Sequence, residues 1–289
     1  MNELTNKFAA RAAASPTRTK RYRHVWTQEQ GGVTYGDGVN TWAAVYELST
    51  SIASPALTVK VLIGATDGGG GLTSEVQTRW ESAIKRLWSD KATVSVKETV
   101  AGTTHTRRVL FTVAWNDANA EYTVACKPTP GMDGLIASID GLATAAERTA
   151  RLQGLGIVAI KAGTYDVAWA KWKKVALLHD VDRDNVFHGT PNMLEWGADD
   201  SEAVPHEFGH TIGLPDEYDT TQYNGNPVDA AIYGQPGFTT KSIMNNTVSS
   251  RGSTLYPRHF DLIATDFNDL MSTMVKPGVA FGTPAVNIL

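Results

Sequence analysis

The stretch that most constrains what this chain can fold into is residues 203–218, AVPHEFGHTIGLPDEY. It sets His206 and His210 four positions apart, with Glu207 beside the first. On a helix, positions i and i+4 share one face, so both imidazoles can reach a single ion. Glu207 is rotated by about 100° from His206 and sits alongside that face. Gly213 follows His210 by three residues, where a left-handed residue ends a helix and reverses the chain. Pro215 then discourages helical continuation, and the reversal returns Asp216 toward the histidines. The fold must hold a short helix and its return loop together.

Two neutral imidazoles and a carboxylate suit Zn²⁺, which in catalytic sites takes three protein ligands and keeps one position for water. Glu207 can then touch that water without ligating the metal. Asp216 is the preferred third ligand, with Glu217 and His259 as alternatives, followed by Asp219, Asp229, Asp261, Asp266 and Asp269. No glutamate occurs after Tyr218, so a ligand Glu from a later helix is excluded.

The pattern H-E-x-x-H-x-x-G-x-x-D resembles the metzincin branch of the zincin metallopeptidases, with Asp216 where a third histidine is more frequent. It is also similar to the immunoglobulin A peptidase type, whose motif likewise ends in Asp-Glu-Tyr but has one more residue before the glycine. The resemblance covers 203–218 closely and the remainder only in order of elements. It implies a zincin-like fold and a zinc endopeptidase, with Glu207 as general base. It also implies a methionine in a tight turn under the metal, for which Met244 in Ser-Ile-Met-Asn-Asn is the candidate and an ordinary core methionine the equal alternative. The tyrosine that some metzincins place two residues later is Asn246 here, so His259 and then Tyr218 are the candidates to stabilise an oxyanion. His259 as a surface or core histidine stands beside that reading.

Around this motif the chain reads as α+β, helices packed on a mixed or mostly antiparallel sheet. The run 57–63 is a buried strand, and 74–89 is an amphipathic helix bearing Val76, Trp80, Ile84, Leu87 and Trp88, with Ser74 and Gln77 as its capping box. Strands follow at 92–99, 107–115 and 121–127, joined by AGTTHT and NDANA as hairpin turns. A short helix is expected at 141–153, strands at 157–161 and 174–179, and a last helix at 259–274 with an extended tail beyond Pro277. Residues 192–197, just before the metal helix, are placed as an edge strand able to pair with an extended substrate.

With 289 residues, 42% of them hydrophobic, the chain can bury a sizeable core, and Cys126 alone rules out an internal disulfide or a thiolate metal cluster. No apolar run is long enough to span a bilayer. Residues 1–25 hold six basic residues against Glu3, a balance of +5, while the rest carries −9. A solvated, flexible basic arm over 1–24 is preferred to nucleic-acid binding. The catalytic domain then spans 25–289, with 25–55 as a β-rich extension. No secretory signal is read, which points to the producing cell's cytoplasm or to export by a leaderless route. In the second case the arm addresses the protein to a secretion or packaging apparatus, and deleting 1–24 abolishes export but spares catalysis. Asp180-x-Asp182-x-Asp184 begins like a calcium loop, but Asn185 and Pro191 break the pattern, so a solvated loop is preferred. The rival to a protease acting on protein or peptide substrates is a non-catalytic zinc protein, or a contact-acting toxin, with a structural or vestigial site. Such a site is usually closed by four protein ligands.

Overall fold

The computed structural model describes residues 16–31, 37–120, 123–127, 139–154, 195–198, 204–217, 220–223, 226–227, 242–244, 253–275 and 279–289. Its centre is β3 (Ala56–Asp67), whose Leu57, Val59, Val61 and Ile63 are fully buried. β5 (Thr104–Trp115) runs parallel to it from Ala56 to Ile63, and β2 (Asp37–Thr50) runs antiparallel on the other side. β4 (Ala92–Lys97) pairs antiparallel with β5, and β1 (Arg18–Gly31) with β2. Two short strands, β8 (Thr220–Tyr223) and β9 (Asn226–Pro227), extend the β1 side, and β10 (Ala285–Ile288) extends the β4 side. β6 (Thr123–Lys127) lies parallel to β3 beyond the β5 ladder and to β7 (Glu195–Gly197). The sheet is therefore mixed.

Among the described residues, four helices accompany it: α1 (Ser74–Trp88), α2 (Ala145–Gly154), α3 (Val204–Thr211) and α4 (Asp261–Met274), the last preceded by a 3-10 turn at Pro257–Phe260. Phe111 of β5 meets Trp88 of α1, Phe208 of α3 and Phe260 at ring-centroid distances of 6.0, 5.6 and 6.3 Å. One strand side chain touching all three puts these helices over one face of the sheet, and the core fills the space between. On α1 the expected apolar stripe is the buried one, Val76, Trp80, Ile84 and Trp88, with Leu87 at its margin.

Several expectations are corrected. The cap of α1 is Thr73, whose side chain accepts from the Val76 N–H, one residue before the expected Ser74 box. The turn AGTTHT does close a β4–β5 hairpin, but NDANA does not fold β6 back on β5. Asn116, at φ 55°, donates its N–H to the Ile63 carbonyl and takes the Ala65 N–H on its side chain. That clamp carries the chain onto the far half of β3, and asparagine tolerates the left-handed backbone it needs. The expected tail contains a strand, because β10 satisfies the outer edge of β4, pairing Ala285 with Ser95 through Ile288 with Ala92.

The basic segment is corrected too: β1 begins at Arg18, so 18–24 are strand. Tyr22, His24 and Trp26 recur at period two, and the first two contact α4. Tyr22 donates to Asp269 Oδ2 at 2.7 Å, and His24 and Tyr46 converge on Asp266 Oδ2 at 2.8 and 2.6 Å. Lys20 pairs with Asp269 at 2.6 Å. Residues 1–15, the strands expected at 157–161 and 174–179, and the aspartate triplet at 180–184 lie outside the described residues. No helix among the described residues is long and apolar enough to cross a membrane.

Candidate metal centre

α3 has eight residues, too few for a stable helix in water, and all of them are buried. Its place is therefore set by its neighbours. Trp88 donates its indole N–H to the Pro205 carbonyl at 2.8 Å, and Trp80 does the same to Gly197 at 2.8 Å in the strand leading to the helix. Arg79 holds the Ala198 carbonyl at 2.9 Å. α1 thus holds Gly197 and Ala198 ahead of the helix and Pro205 in its first turn.

The helix ends as the sequence requires. Gly213 donates to the His210 carbonyl at 3.0 Å and Leu214 to the Gly209 carbonyl at 3.1 Å, the crossed pair of a Schellman ending. Gly213 has φ +96°, and a Cβ there would lie 2.7 Å from the Trp26 indole nitrogen. Backbone conformation and space both demand glycine. The reversed chain brings Asp216 over the helix face.

His206 and His210 each hold Nδ1 2.7 Å from a backbone carbonyl, that of Ile243 and that of Leu214 respectively. A carbonyl can only accept, so Nδ1 carries the proton and each Nε2 is turned toward Asp216. Asp216 Oδ1 lies 3.1 Å from His206 Nε2 and 3.4 Å from His210 Nε2. Ligand-type atoms of the three residues fall within 4.8 Å of one another, and all three are buried. Burial disfavours charge on both imidazoles. The neighbouring Asp216 and Glu207 outweigh it, raising His206 and pushing His210 up to about 9. Burial likewise opposes the Asp216 carboxylate, yet the two imidazoles hold it well below the usual carboxylate range. Two imidazoles of fixed tautomer and a carboxylate, sharing protons where a cation would sit, fit the donor set of Zn²⁺. Glu207 is buried beside them, close enough to act on both histidines.

Glu217 and His259, the alternative ligands, are not brought to this cluster. Glu217 takes a two-pronged contact from Arg258, Nε to Oε1 at 2.6 Å and Nη2 to Oε2 at 2.8 Å. Burial alone would raise its pKa, but Arg258 and His259 bring it down to about 2. The Tyr256 N–H donates to His259 Nδ1 at 3.1 Å, so the imidazole proton is on Nε2, 3.2 Å from both Glu217 Oε1 and Ser242 Oγ. Burial lowers the His259 pKa, in keeping with a neutral ring. Both His259 nitrogens are thus engaged, Nδ1 by Tyr256 and Nε2 by Glu217 and Ser242. Tyr218, Asn245 and Asn246 lie outside the described residues.

Met244 is fully buried against α3: a Cβ on Gly209 would lie 2.4 Å from its sulfur. Its carbonyl accepts the Glu217 N–H at 2.7 Å. Segment 242–244 therefore supports His206 through the Ile243 carbonyl and the return loop through the Met244 carbonyl. Sequence reasoning missed Arg258, Ser242 and these carbonyls. Backbone acceptors leave no mark in a sequence, and Arg258 is one charge among 26 basic residues.

No curated protein and no solved structure matches the chain. Residues 193–250 match the family model described as immune inhibitor A peptidase M6, catalytic domain, a stretch that holds the metal helix, the return loop and Met244, and the match supports a metallopeptidase.

Proposed function

We propose that the protein is a zinc-dependent endopeptidase of zincin type acting on protein or peptide substrates, with His206, His210 and Asp216 as metal ligands. The observation that carries the reading is the convergence of two imidazole Nε2 atoms on Asp216 Oδ1, each ring fixed by its own Nδ1–carbonyl bond. A bound zinc ion supplies Lewis acidity, acidifying water and polarising the scissile carbonyl. Glu207 takes the proton of the attacking water on its carboxylate and delivers it to the leaving amine. The Nδ1–H bonds to Ile243 and Leu214 hold the two imidazoles in their ligating tautomer, and Gly213 keeps Asp216 in reach. Met244 on Gly209 supports a metzincin-like floor beneath the site, and Tyr218 is the proposed second donor to the oxyanion. β7, whose one partner among the described residues is β6, supports pairing of an extended substrate beside α3. A structural zinc site usually needs a fourth protein ligand. The engagement of His259 by Glu217 and Tyr256 favours the open, catalytic alternative.

The test is cleavage of a diverse peptide library by zinc-loaded protein, read by mass spectrometry beside the Glu207→Gln variant. Internal cleavage in the first and not in the second is expected. Equal cleavage in both, or a wild-type protein that retains no zinc, would overturn the proposal.

A further inference from the structure

Resting on the metal reading above, we infer that Glu217, clamped by Arg258 and His259, is the positioning residue for the third ligand. Asp216 belongs to neither helix nor strand, so no regular backbone aims its carboxylate at the histidines. Upstream, the loop is fixed by the Gly213 ending and by His210 Nδ1 on the Leu214 carbonyl. Downstream, everything described that fixes it runs through the next residue. The Glu217 N–H is bound to the Met244 carbonyl at 2.7 Å. Its carboxylate takes three N–H groups, two from the Arg258 fork and one from His259 Nε2. Arg258 and His259 stand in the turn that opens α4, itself packed in the core. Ser242 Oγ meets the same His259 nitrogen, so the tripeptide that carries the Ile243 acceptor of His206 is tied to the same clamp.

The clamp therefore joins the return loop that carries Asp216, segment 242–244 that holds His206 through the Ile243 carbonyl, and the start of α4. A two-pronged guanidinium–carboxylate pair defines an orientation, which a point charge or a single acceptor does not. Groups that orient a ligand typically change metal affinity 10- to 100-fold when removed.

The experiment compares wild type, Glu217→Gln, Arg258→Lys and, as a control remote from the clamp, Tyr22→Phe. Zinc affinity is measured by chelator competition, and the visible absorption of the Co²⁺-substituted proteins reports ligand geometry. We expect zinc affinity to fall about 10- to 100-fold in Glu217→Gln, in the same direction in Arg258→Lys, with an altered cobalt spectrum in both. Tyr22→Phe, which loses a hydrogen bond of α4 elsewhere, should keep wild-type affinity and spectrum. Should Glu217→Gln fail to fold, Arg258→Lys carries the test alone. Wild-type affinity and spectrum in the folded clamp variants would overturn the inference and leave the metal reading standing. A wild-type protein that binds no zinc would overturn both.

Discussion

Glu207 and Gly213 bear on the proposed site in different ways, one through its proposed chemistry and one by shape. Replacing Glu207 by Gln keeps the volume and removes the proposed base. Peptide cleavage should fall about 10²- to 10⁴-fold, while zinc content, measured on the same preparation, stays at the wild-type ratio. Gly213 has a positive φ and the Trp26 ring where a side chain would begin. Gly213→Ala should therefore lower unfolding free energy by about 2–3 kcal/mol, from backbone strain and overpacking together, as read by urea denaturation with chelator present. A loss below about 0.5 kcal/mol would mean that Trp26 yields easily and the cap is not specific for glycine. At this scale the motif is legible in the residues themselves, because helical spacing and the glycine's position are local rules. Which way His259 and Glu217 turn is not legible there. Both have the chemistry of a ligand, and the choice rests on Arg258 arriving 41 positions along the chain to engage Glu217.

β1 is the element whose role differs most from a reading of its composition. Arg18, Lys20, Arg21 and Arg23 mark it as a basic leader, yet the alternate residues Tyr22 and His24 join its inner face to α4 through Asp266 and Asp269. Burial raises the Asp266 pKa, even though Tyr46 and His24 hydrogen-bond to it. Deleting 1–24 removes the His24 partner and half of the strand. Such a deletion should cost about 3 kcal/mol or more of stability, from an under-satisfied buried carboxylate and lost packing. It should also reduce cleavage by lowering the folded fraction. Unchanged denaturation would show that β1 is dispensable and restore the flexible-arm view. Local periodicity misses this strand because four charges, Arg21 and Arg23 on the opposite face and Arg18 and Lys20 on the same one, mask a three-residue aromatic stripe. β10 escapes it for a related reason: its partner β4 is some 190 positions earlier, and only pairing defines it.

For the whole molecule, the clamp should appear as an acid-sensitive share of stability. The Glu217 carboxyl titrates near 2 in the folded protein, against 4.5 for an ordinary glutamate. A folded pKa below the unfolded one gives stability that is fully present above about pH 4.5 and is lost as pH falls toward 2. Its size is about 3 kcal/mol. Urea unfolding of wild type and Glu217→Gln, both metal-free in chelator, should therefore differ most near pH 6 and converge toward pH 2–3. A gap independent of pH would mean that Glu217 contributes by packing and not by charge.

Sequence alone determined the chemistry of one short segment: two imidazoles on a helical face, a carboxylate beside them, and a glycine exit that returns another carboxylate. It also determined the α+β class and the buried stripe of α1, since periodicity and chain reversal are set within a few residues by backbone geometry. Tertiary structure decided what distant parts do to one another. It placed Asp216 and not Glu217 against the histidines, put Met244 under Gly209, gave each imidazole its carbonyl, and drew the basic leader and the tail into the sheet. Those outcomes depend on which donors and acceptors from remote segments meet in the core, and no spacing along the chain encodes that meeting.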